Sequence, residues 1–496
     1  MAGGSQVLSS VTFVRTGLGG KYLICQTCLL VLFSVWSLGG RAEGAIFGIA
    51  CIAWASLFAL ALHPPSIIRL KDVFAQSGCR VMLGAWCILI LFLLLAPLNS
   101  EGLIESLPDG LTVYQPRETV AWFPTTFVRE RCLEYGFLLS GVLVQVMVLW
   151  HFIDRFGRVR LLLTVFAGNA LVVAILGAGF RLLGSDQILG IYEPVADYFF
   201  GVFRYHNHWT AFALLSMGQC LALVLYWYQA GSRDADIRRQ HLDVVWAGAL
   251  LILSFTLPMS TARAGVLFLA IFWVCLGTVF AKWAYRRSLP RLGLLRGIVP
   301  VFTFILMLGV IVYSIRLSSH ELHADWDETL AQMEQLQNGD LAQIDAPRTD
   351  SWGDCWRMFK DRPLYGSGFG SHRYLYQLYA RDQYRYESGV VRHVKEFAHN
   401  DLMQYLAEFG VIGLFLLCMP PVTLLIRYYR AILASPFACA LLFSCGLILM
   451  LASFEFPLSN PAIIVIFSIQ LTLALKVAMI DLNFDRVASV RLKNEG

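Results

Sequence analysis

Long apolar runs alternate with short polar connections along almost the whole chain. Segments such as 81–98 (VMLGAWCILILFLLLAPL) and 298–315 (IVPVFTFILMLGVIVYSI) carry no charged residue. A helix of about 20 apolar residues crosses the hydrocarbon core of a bilayer, and a helix satisfies its own backbone hydrogen bonds in lipid. The pattern therefore predicts an all-α polytopic membrane protein.

Hydropathy predicts about twelve transmembrane helices. Their ranges are 22–39, 45–63, 81–98, 135–153, 161–183, 209–228, 244–259, 264–281, 298–317, 402–426, 437–455 and 461–480. Connections of a few residues, such as 40–44 (GRAEG), predict antiparallel neighbours. We interpret the first run as a span and not as a cleaved signal peptide, because a second apolar run follows at once and no A-x-A-like site ends the first.

Composition agrees with the membrane assignment. The chain has 496 residues, of which 57% are hydrophobic and 15% charged, whereas soluble proteins carry about 25% charged residues. The net charge of +5 is small and dispersed, so membrane lipids and no nucleic acid are the expected surroundings. Most of the twelve cysteines fall inside apolar runs, where they resemble small hydrophobic residues; Cys132 and Cys355 are the two that a disulfide could join.

Arginine and lysine in the short connections predict the orientation. They concentrate in alternate connections, whereas the opposite short connections hold little more than Arg41 and Arg263. Cytoplasmic loops carry the excess of positive charge, which places both termini in the cytoplasm. The cytoplasmic set comprises Arg69, Lys71, Arg80, Arg155, Arg158, Arg160, Arg233, Arg238, Arg239, Lys282, Arg286, Arg287, Arg291, Arg296, Arg427, Arg430, Arg486, Arg491 and Lys493.

This orientation puts the longer segments 99–134, 184–208 and 318–401 on the outer side. The last of them begins with an acidic stretch at 321–343 that we predict to be helical. About eighty residues bury too little surface for an independent core, so we expect a small helical domain packed on the bundle. The predicted division is therefore helices 1–9 in 1–317, an outer loop domain in 318–401, helices 10–12 in 402–480 and a cytoplasmic tail in 481–496.

Three ionisable residues lie next to spans on the predicted outer side, namely Arg204, Arg263 and His399. Such residues are costly at membrane depth and commonly mark a site or an internal pair. Arg263 occupies a tight turn between two spans, where its guanidinium could bind lipid headgroups or helix carbonyls. Alternatively it binds a phosphate in a bidentate manner, with hydroxyl groups of Ser260 and Thr261 beside it.

Arg204 belongs to a polar and aromatic cluster, 204–209 (RYHNHW). The cluster is typical of an interfacial belt, or it supports a second anion-binding arginine. His206 and His208 form an H-x-H pair, but no carboxylate accompanies them in sequence, so no metal site is predicted.

His399 stands at the start of a predicted span, in 397–402 (FAHNDL). One interpretation is an interfacial cluster in which Asn400 or Asp401 caps the next helix. The other is a general base that titrates near neutral pH, beside a helix N-terminus that favours an anionic phosphate. From these residues alone both interpretations remain open.

The glycine-rich segment 363–370 (PLYGSGFG) lacks the lysine and Ser/Thr of a P-loop. It also lies on the predicted outer side, away from cytoplasmic nucleotides. We therefore interpret it as a loop with glycine turns.

Several of these residues together resemble the O-antigen ligase/polymerase superfamily. The segment 352–370, with its P-L-x-G-x-G pattern, and the segment 397–414 (FAHNDLMQYLAEFGVIGL) are similar to the motifs of that superfamily. Arg263 to Leu267 reads R-x3-L and His399 to Gly410 reads H-x10-G, both associated with ligases. Arg357 to Gly368 fits the R-x10-G pattern of polymerases.

The resemblance implies a metal-independent inverting glycosyltransferase of the GT-C kind without a cofactor, acting on the periplasmic face of the bacterial inner membrane. Its donor would be a glycan on undecaprenyl pyrophosphate, and its acceptor lipid A-core or another glycan. Arg204, Arg263 and Arg348 would bind the pyrophosphate, and His399 would act as base or orient the donor.

Asn400, Trp352 and Tyr205 are further candidates for substrate binding. Aromatic residues of the outer loop, including Trp352, could stack on sugar rings, although aromatic residues in a cap are more often core. Repeat-unit polymerisation and protein O-glycosylation remain alternatives within the superfamily. A transporter of a lipid-linked anionic substrate is the alternative of another class, although the chain shows no two-half internal symmetry.

Overall fold

The structure of the protein is a computed structural model. It describes residues 17–494, with the exception of 64–76, 107–111, 121–122, 195–197, 234–235, 238–239, 289–308, 310–311, 313–315, 317–347 and 383–393. The predicted ninth span (298–317) and the acidic stretch 321–343 therefore lie outside the described residues, apart from a few isolated positions of the span.

Helices account for most of the described chain, as the apolar runs predict. In chain order they are α1 (Leu18–Trp36), α2 (Ala45–Trp54), α3 (Phe58–Ala61), α4 (Ser77–Leu95), α5 (Arg129–Phe152), α6 (Phe156–Leu182), α7 (His206–Arg233), α8 (Leu242–Met259), α9 (Arg263–Ser288), α10 (Arg348–Asp361), α11 (His372–Tyr379), α12 (Asp401–Ala434), α13 (Pro436–Leu451) and α14 (Pro461–Asn494). The helix α14 continues beyond the predicted end of the last span at 480.

Eight helices in the described part of the chain are long and apolar enough to cross a membrane. They are Leu18–Trp36, Arg80–Asn99, Arg129–Phe152, Phe156–Leu182, His206–Gly231, Leu242–Met259, Asp401–Ala434 and Pro461–Ile480. Three shorter apolar helices, Ala45–Ala61, Arg263–Val279 and Pro436–Leu451, coincide with three further predicted spans. Each of the eleven predicted spans other than the ninth thus corresponds to an apolar helix.

The centre of the bundle is formed around α7, which packs against α8 and α13 and is buried along most of its length. Polar side chains inside this core bond to each other across helices. Gln219 Nε2 donates to Gln470 Oε1 at 2.8 Å, and Gln145 Nε2 donates to Thr27 Oγ1 at 2.9 Å. Such bonds hold helices together in a setting that offers no water.

A short β-hairpin in the predicted outer segment 99–134 is an addition to the all-α prediction. Strands β1 (Gly102–Ser106) and β2 (Thr112–Pro116) pair antiparallel, with Gly102 opposite Pro116. The Asn99 side chain anchors its base, because Asn99 Nδ2 donates to the carbonyl of Val120 at 3.0 Å and Asn99 Oδ1 accepts from the Val120 amide at 2.8 Å. The hydropathy pattern of the sequence did not predict these strands.

The described part of the predicted outer loop domain is helical and packs on the bundle. Its helix α10 lies against α12, and a small second core forms there from Phe127, Cys355, Met358, Tyr376 and Ala407, among others. The core thus draws on the loop domain, on the segment before α5 and on α12. Cys132 and Cys355 are buried free thiols, so the disulfide suggested for this pair is not formed.

Candidate functional site

A buried carboxylate, Glu455, connects three of the residues that the sequence analysis singled out. Glu455 lies in the turn between α13 and α14, and its side chain is only 3% exposed. Arg348 Nη2 lies 2.8 Å from Glu455 Oε1, His399 Nδ1 lies 3.4 Å from Glu455 Oε2, and the Tyr205 hydroxyl donates to Glu455 Oε2 at 3.3 Å. We call these four residues the Glu455 cluster.

The partners of Glu455 decide its charge. Burial disfavours the ionised carboxylate, but the hydrogen bond from His399 and the charge of Arg348 outweigh burial and hold the pKa of Glu455 below its ordinary value. Burial, followed by the charge of Glu455, raises the pKa of the Tyr205 hydroxyl. The cluster therefore holds an ionised carboxylate and a neutral phenol at neutral pH.

His399 is held in an uncommon backbone conformation. Its φ of +52° lies in the left-handed region, which few non-glycine residues adopt and which persists only where the surroundings hold it. Its side chain remains 29% exposed. Because Nδ1 faces Glu455, the other ring nitrogen is the one that can face a substrate.

The helix cap proposed as an alternative role for this stretch is also present, one residue later. Asn400 is the N-cap of α12, and its Oδ1 accepts from the Met403 amide at 3.0 Å. Asn400 is buried, which leaves its amide little access to a substrate. Asn400 provides the cap of α12, so His399 is not needed for that role.

Asp401 fastens the Glu455 turn to the start of α12. Its Oδ2 accepts from the Leu458 amide and its Oδ1 accepts from the Ser459 hydroxyl, both at 2.6 Å. The Asp401 amide in turn donates to the Glu455 carbonyl at 3.2 Å. These bonds set the distance between His399 and Glu455, because Asp401 lies two residues after His399 in the chain.

Phe456 forms an aromatic centre beside the cluster. Tyr205 stacks on its ring with centroids 5.1 Å apart, and Phe397 stacks on it with centroids 4.7 Å apart. The rings of His399 and His208 meet Phe456 edge-on, at 4.7 and 5.1 Å. The His399 ring is therefore in contact with both Phe456 and Glu455.

Two arginines and a histidine lie at the starts of α7 and α9. His206 is within electrostatic range of Glu455, Arg263 and Arg348, and its ring bonds to the Ser260 backbone. Arg263, the first residue of α9, is exposed. Arg204 Nε is buried and has no hydrogen-bond partner among the described residues.

The hydroxyl group of Ser260, just before Arg263, is bonded within the protein. The Ser260 hydroxyl donates to the Leu257 carbonyl at 2.7 Å, and Ser260 is buried. Of the two histidines of the H-x-H pair, His208 Nδ1 lies 3.3 Å from Asn460 Nδ2, while His206 faces the Ser260 backbone. The two histidine rings therefore contact different residues, Asn460 and Ser260.

The glycine-rich segment 363–370 docks on a kink in α12. Gly410 interrupts the helix with φ +62° and ψ −174°, and the amide of Val411 just beyond the kink donates to the Pro363 carbonyl at 2.8 Å. In return the Gly368 amide donates to the Glu408 carbonyl at 2.9 Å. The segment is a structural loop, in agreement with the interpretation from the sequence.

The structure brings some of the proposed residues together and leaves others apart. Tyr205, Arg348 and His399 all contact Glu455. Arg263 interacts electrostatically with His206, which in turn interacts with Glu455. Trp352 is half-buried in α10, and its indole nitrogen has no hydrogen-bond partner in the described part of the chain. Tyr376, another aromatic residue of the outer loop, belongs to the small second core.

Glu455 and Phe456 were missed by the sequence analysis. The signal was present, because Glu455 is the last residue of a predicted span, 437–455, and an ionisable residue at membrane depth is a site candidate. The rule that marks Arg204, Arg263 and His399 thus marks Glu455 as well.

No curated protein matches the chain. A family model does match, and it covers Arg263, Arg348, His399 and Gly410, although Glu455 lies beyond its end. Residues 248–418 match the family model described as O-antigen ligase, so this part of the chain is similar to the O-antigen ligase/polymerase superfamily of membrane enzymes.

Proposed function

We propose that the protein transfers a polysaccharide from undecaprenyl pyrophosphate to an acceptor hydroxyl, as an O-antigen ligase whose acceptor is lipid A-core. One observation carries the proposal. Arg348 and His399, two residues from the part of the chain that matches the family, converge on the buried carboxylate of Glu455, beside Arg263 and Arg204. A diphosphate needs such a set of fixed cations.

The three arginines suit the leaving group of this reaction. When the anomeric carbon–oxygen bond breaks, its electron pair passes to the pyrophosphate, which gains negative charge in the transition state. Guanidinium groups bind phosphate oxygens through two parallel N–H bonds, and fixed charges of this kind lower the barrier because they do not reorganise. Arg348 is half exposed despite its bond to Glu455, so N–H groups remain for a phosphate.

We assign His399 as the general base on the acceptor. The Nδ1–H group donates to Glu455, which selects the tautomer with a lone pair on Nε2. The acceptor oxygen forms the new bond to the anomeric carbon, its proton passes to Nε2, and the pyrophosphate leaves from the opposite face. The carboxylate of Glu455 then stabilises the imidazolium, so Glu455 is a positioning residue in this mechanism.

The same proposal includes the placement in the cell. The positively charged connections predict cytoplasmic termini, which would put the Glu455 cluster on the periplasmic face of the inner membrane. The described helices α10 and α11, which belong to the predicted loop domain 318–401, would then cover the site from the periplasm.

The test is a transfer assay with purified protein in detergent or liposomes. It contains lipid-linked glycan, lipid A-core as acceptor, no nucleotide and a chelator, since the resemblance implies that no metal takes part. We expect glycan on lipid A-core at a rate that falls about 10²–10⁴-fold for His399→Ala and about 10²–10³-fold for Arg263→Ala. Arg117→Ala, an exposed arginine at the end of β2, is the matched control and should transfer at the wild-type rate.

The other outcomes identify the alternatives. Glycan appearing on a growing polymer or on a protein, and not on lipid A-core, would identify a polymerase or a protein glycosyltransferase. Movement of the lipid-linked glycan across vesicles without a covalent product would identify a transporter. Full transfer by both His399→Ala and Arg263→Ala would refute the site.

A further inference from the structure

A second polar depression lies next to the Glu455 cluster. It is bounded by the first turns of α5, by the start of α11 and by the segment that leads to His399, and we call it the Arg373 groove. Its lining includes Arg131, Tyr135, Arg373, Tyr374 and Phe397. The candidate mechanism uses none of these residues.

Two arginines, Arg131 and Arg373, and one carboxylate, Glu396, line the groove, and Glu396 is paired with Arg41. Arg131 is partly neutralised, because its Nη1 lies 2.9 Å from Glu134 and it bonds to the Tyr374 hydroxyl. Arg373 is exposed and has no ion pair or side-chain hydrogen bond with the described residues. Arg373 therefore presents a guanidinium whose donors are available to an anion from solution.

The walls of the groove are aromatic. Tyr135 and Tyr374 lie beside the two arginines, and Phe397 closes the side towards the cluster. Ligand sites are typically lined by apolar and aromatic faces with a few polar groups that orient the ligand. Flat rings beside a free guanidinium suit a sugar ring that carries an acidic group.

The groove and the Glu455 cluster share one wall. The Phe397 ring stacks on Phe456 at 4.7 Å, and the His399 ring meets the same Phe456 at 4.7 Å. Arg41 closes the outside of this wall, since its guanidinium lies 4.7 Å from the Phe397 ring centre and 3.3 Å from Glu396. By these contacts the rings of Phe397 and Phe456 connect the groove to His399.

We propose that the Arg373 groove binds an acidic saccharide of the acceptor, with Arg373 on its phosphate or carboxylate group and the tyrosines against its ring. That the saccharide belongs to the acceptor rests on the proposed function. That an acidic saccharide binds here rests on the groove alone. It assigns to Arg373 a role in acceptor selection that is separate from the pyrophosphate.

The first experiment measures binding without any transfer. Purified protein is titrated with glucose 1-phosphate, glucuronic acid and glucose, in the wild type and in Arg373→Ala, Arg373→Lys and Arg117→Ala. We expect the charged sugars to bind and glucose to bind about tenfold more weakly, with a loss of about tenfold in Arg373→Ala and partial retention in Arg373→Lys. Arg117→Ala should bind as the wild type does.

The ratio of the dissociation constants of the two charged sugars identifies the acidic group that Arg373 binds. Tighter binding of glucose 1-phosphate assigns a phosphate, and tighter binding of glucuronic acid assigns a carboxylate. Equal binding by Arg373→Ala and the wild type, or binding of glucose as tight as that of the charged sugars, would overturn the proposal.

The second experiment connects the groove to the reaction. With a phosphorylated acceptor, Arg373→Ala should raise the acceptor KM about tenfold and leave the donor KM and kcat unchanged. With the dephosphorylated acceptor, the same variant should match the wild type. An equal effect on both acceptors would refute acceptor selection by Arg373.

A wild-type protein that binds charged sugars through Arg373 but transfers no glycan would overturn the proposed function and leave the saccharide groove standing.

Discussion

A single added methyl group at Gly410 tests the role that the structure gives to the H-x10-G spacing. Gly410 sits in the kink of α12 with φ +62° and ψ −174°, a backbone region that only glycine adopts readily. A Cβ at this position would lie 2.5 Å from the Leu364 carbonyl oxygen and 2.6 Å from the Gly366 nitrogen. Both neighbours are backbone, so no side chain can move aside.

The cost of Gly410→Ala follows from these two effects. The backbone conformation costs an alanine about 1–3 kcal/mol, and overpacking costs about 1–3 kcal/mol more. We expect a loss of about 4 kcal/mol in the free energy of unfolding, relieved only if the loop 363–370 moves off α12. In that case the loop no longer accepts from the Val411 amide and no longer covers Glu408, two residues of the helix that His399 precedes.

The measurement is thermal unfolding in detergent, paired with the transfer assay. Gly410→Ala should lower Tm by about 5 °C or more and reduce transfer through misplacement of the start of α12. Gly446→Ala is the matched control, because a Cβ there meets nothing within 4 Å and alanine favours a helix by up to about 1 kcal/mol over glycine. If Gly410→Ala has the same Tm as Gly446→Ala but transfers no glycan, the structural role is refuted. Gly410 would then take part in the reaction itself.

Three further predictions concern the same end of the molecule. Burial lowers the pKa of His372 to about 4 from an ordinary value of 6.5, so the unfolded chain binds the proton first and stability should fall as pH drops from about 6.5 to about 4, by at most about 3 kcal/mol; pH-dependent unfolding of His372→Asn should lack this loss. Cys132 and Cys355 are free and buried, and burial raises the pKa of the Cys355 thiol, so maleimide should label both only after unfolding, and the wild type should unfold at the same temperature under oxidising and reducing conditions. Asp401→Ala should cost about 3 kcal/mol, because it leaves two buried donors of the Glu455 turn without an acceptor; Ser459→Ala, which keeps the carboxylate, should cost less in the same unfolding assay.

The membrane helices were predictable because their signal is local. A run of about 20 apolar residues has one stable form in lipid, and eleven of the twelve predicted ranges meet an apolar helix of the described chain. The hairpin at 102–116 was not predictable in the same way. Its five-residue strands are stabilised by contacts of Asn99 and Glu101 with the distant backbone of 117–126, and no periodicity in the strands themselves reports such contacts.

The sequence pointed to the basic residues of the candidate site but not to its carboxylate, Glu455. Arg204, Arg263 and His399 stand out in sequence because a charge beside an apolar run is unusual. Glu455 stands out equally by that rule, yet its meaning depends on which cations face it. Only the packing of α13 and α14 against the start of α12 brings the carboxylate to Arg348 and His399.

The two interpretations of the segment 397–402 are compatible, because neighbouring residues carry them. Asn400 caps α12 and Asp401 anchors the Glu455 turn. The start of α12 is therefore held both by its own cap and by the turn between α13 and α14. That rigidity is what can hold His399 at φ +52° against its backbone cost, with Nδ1 on Glu455 and its ring edge on Phe456. The structural residues and the proposed base therefore form one unit, and a cap variant such as Asn400→Ala should weaken the reaction through the position of His399.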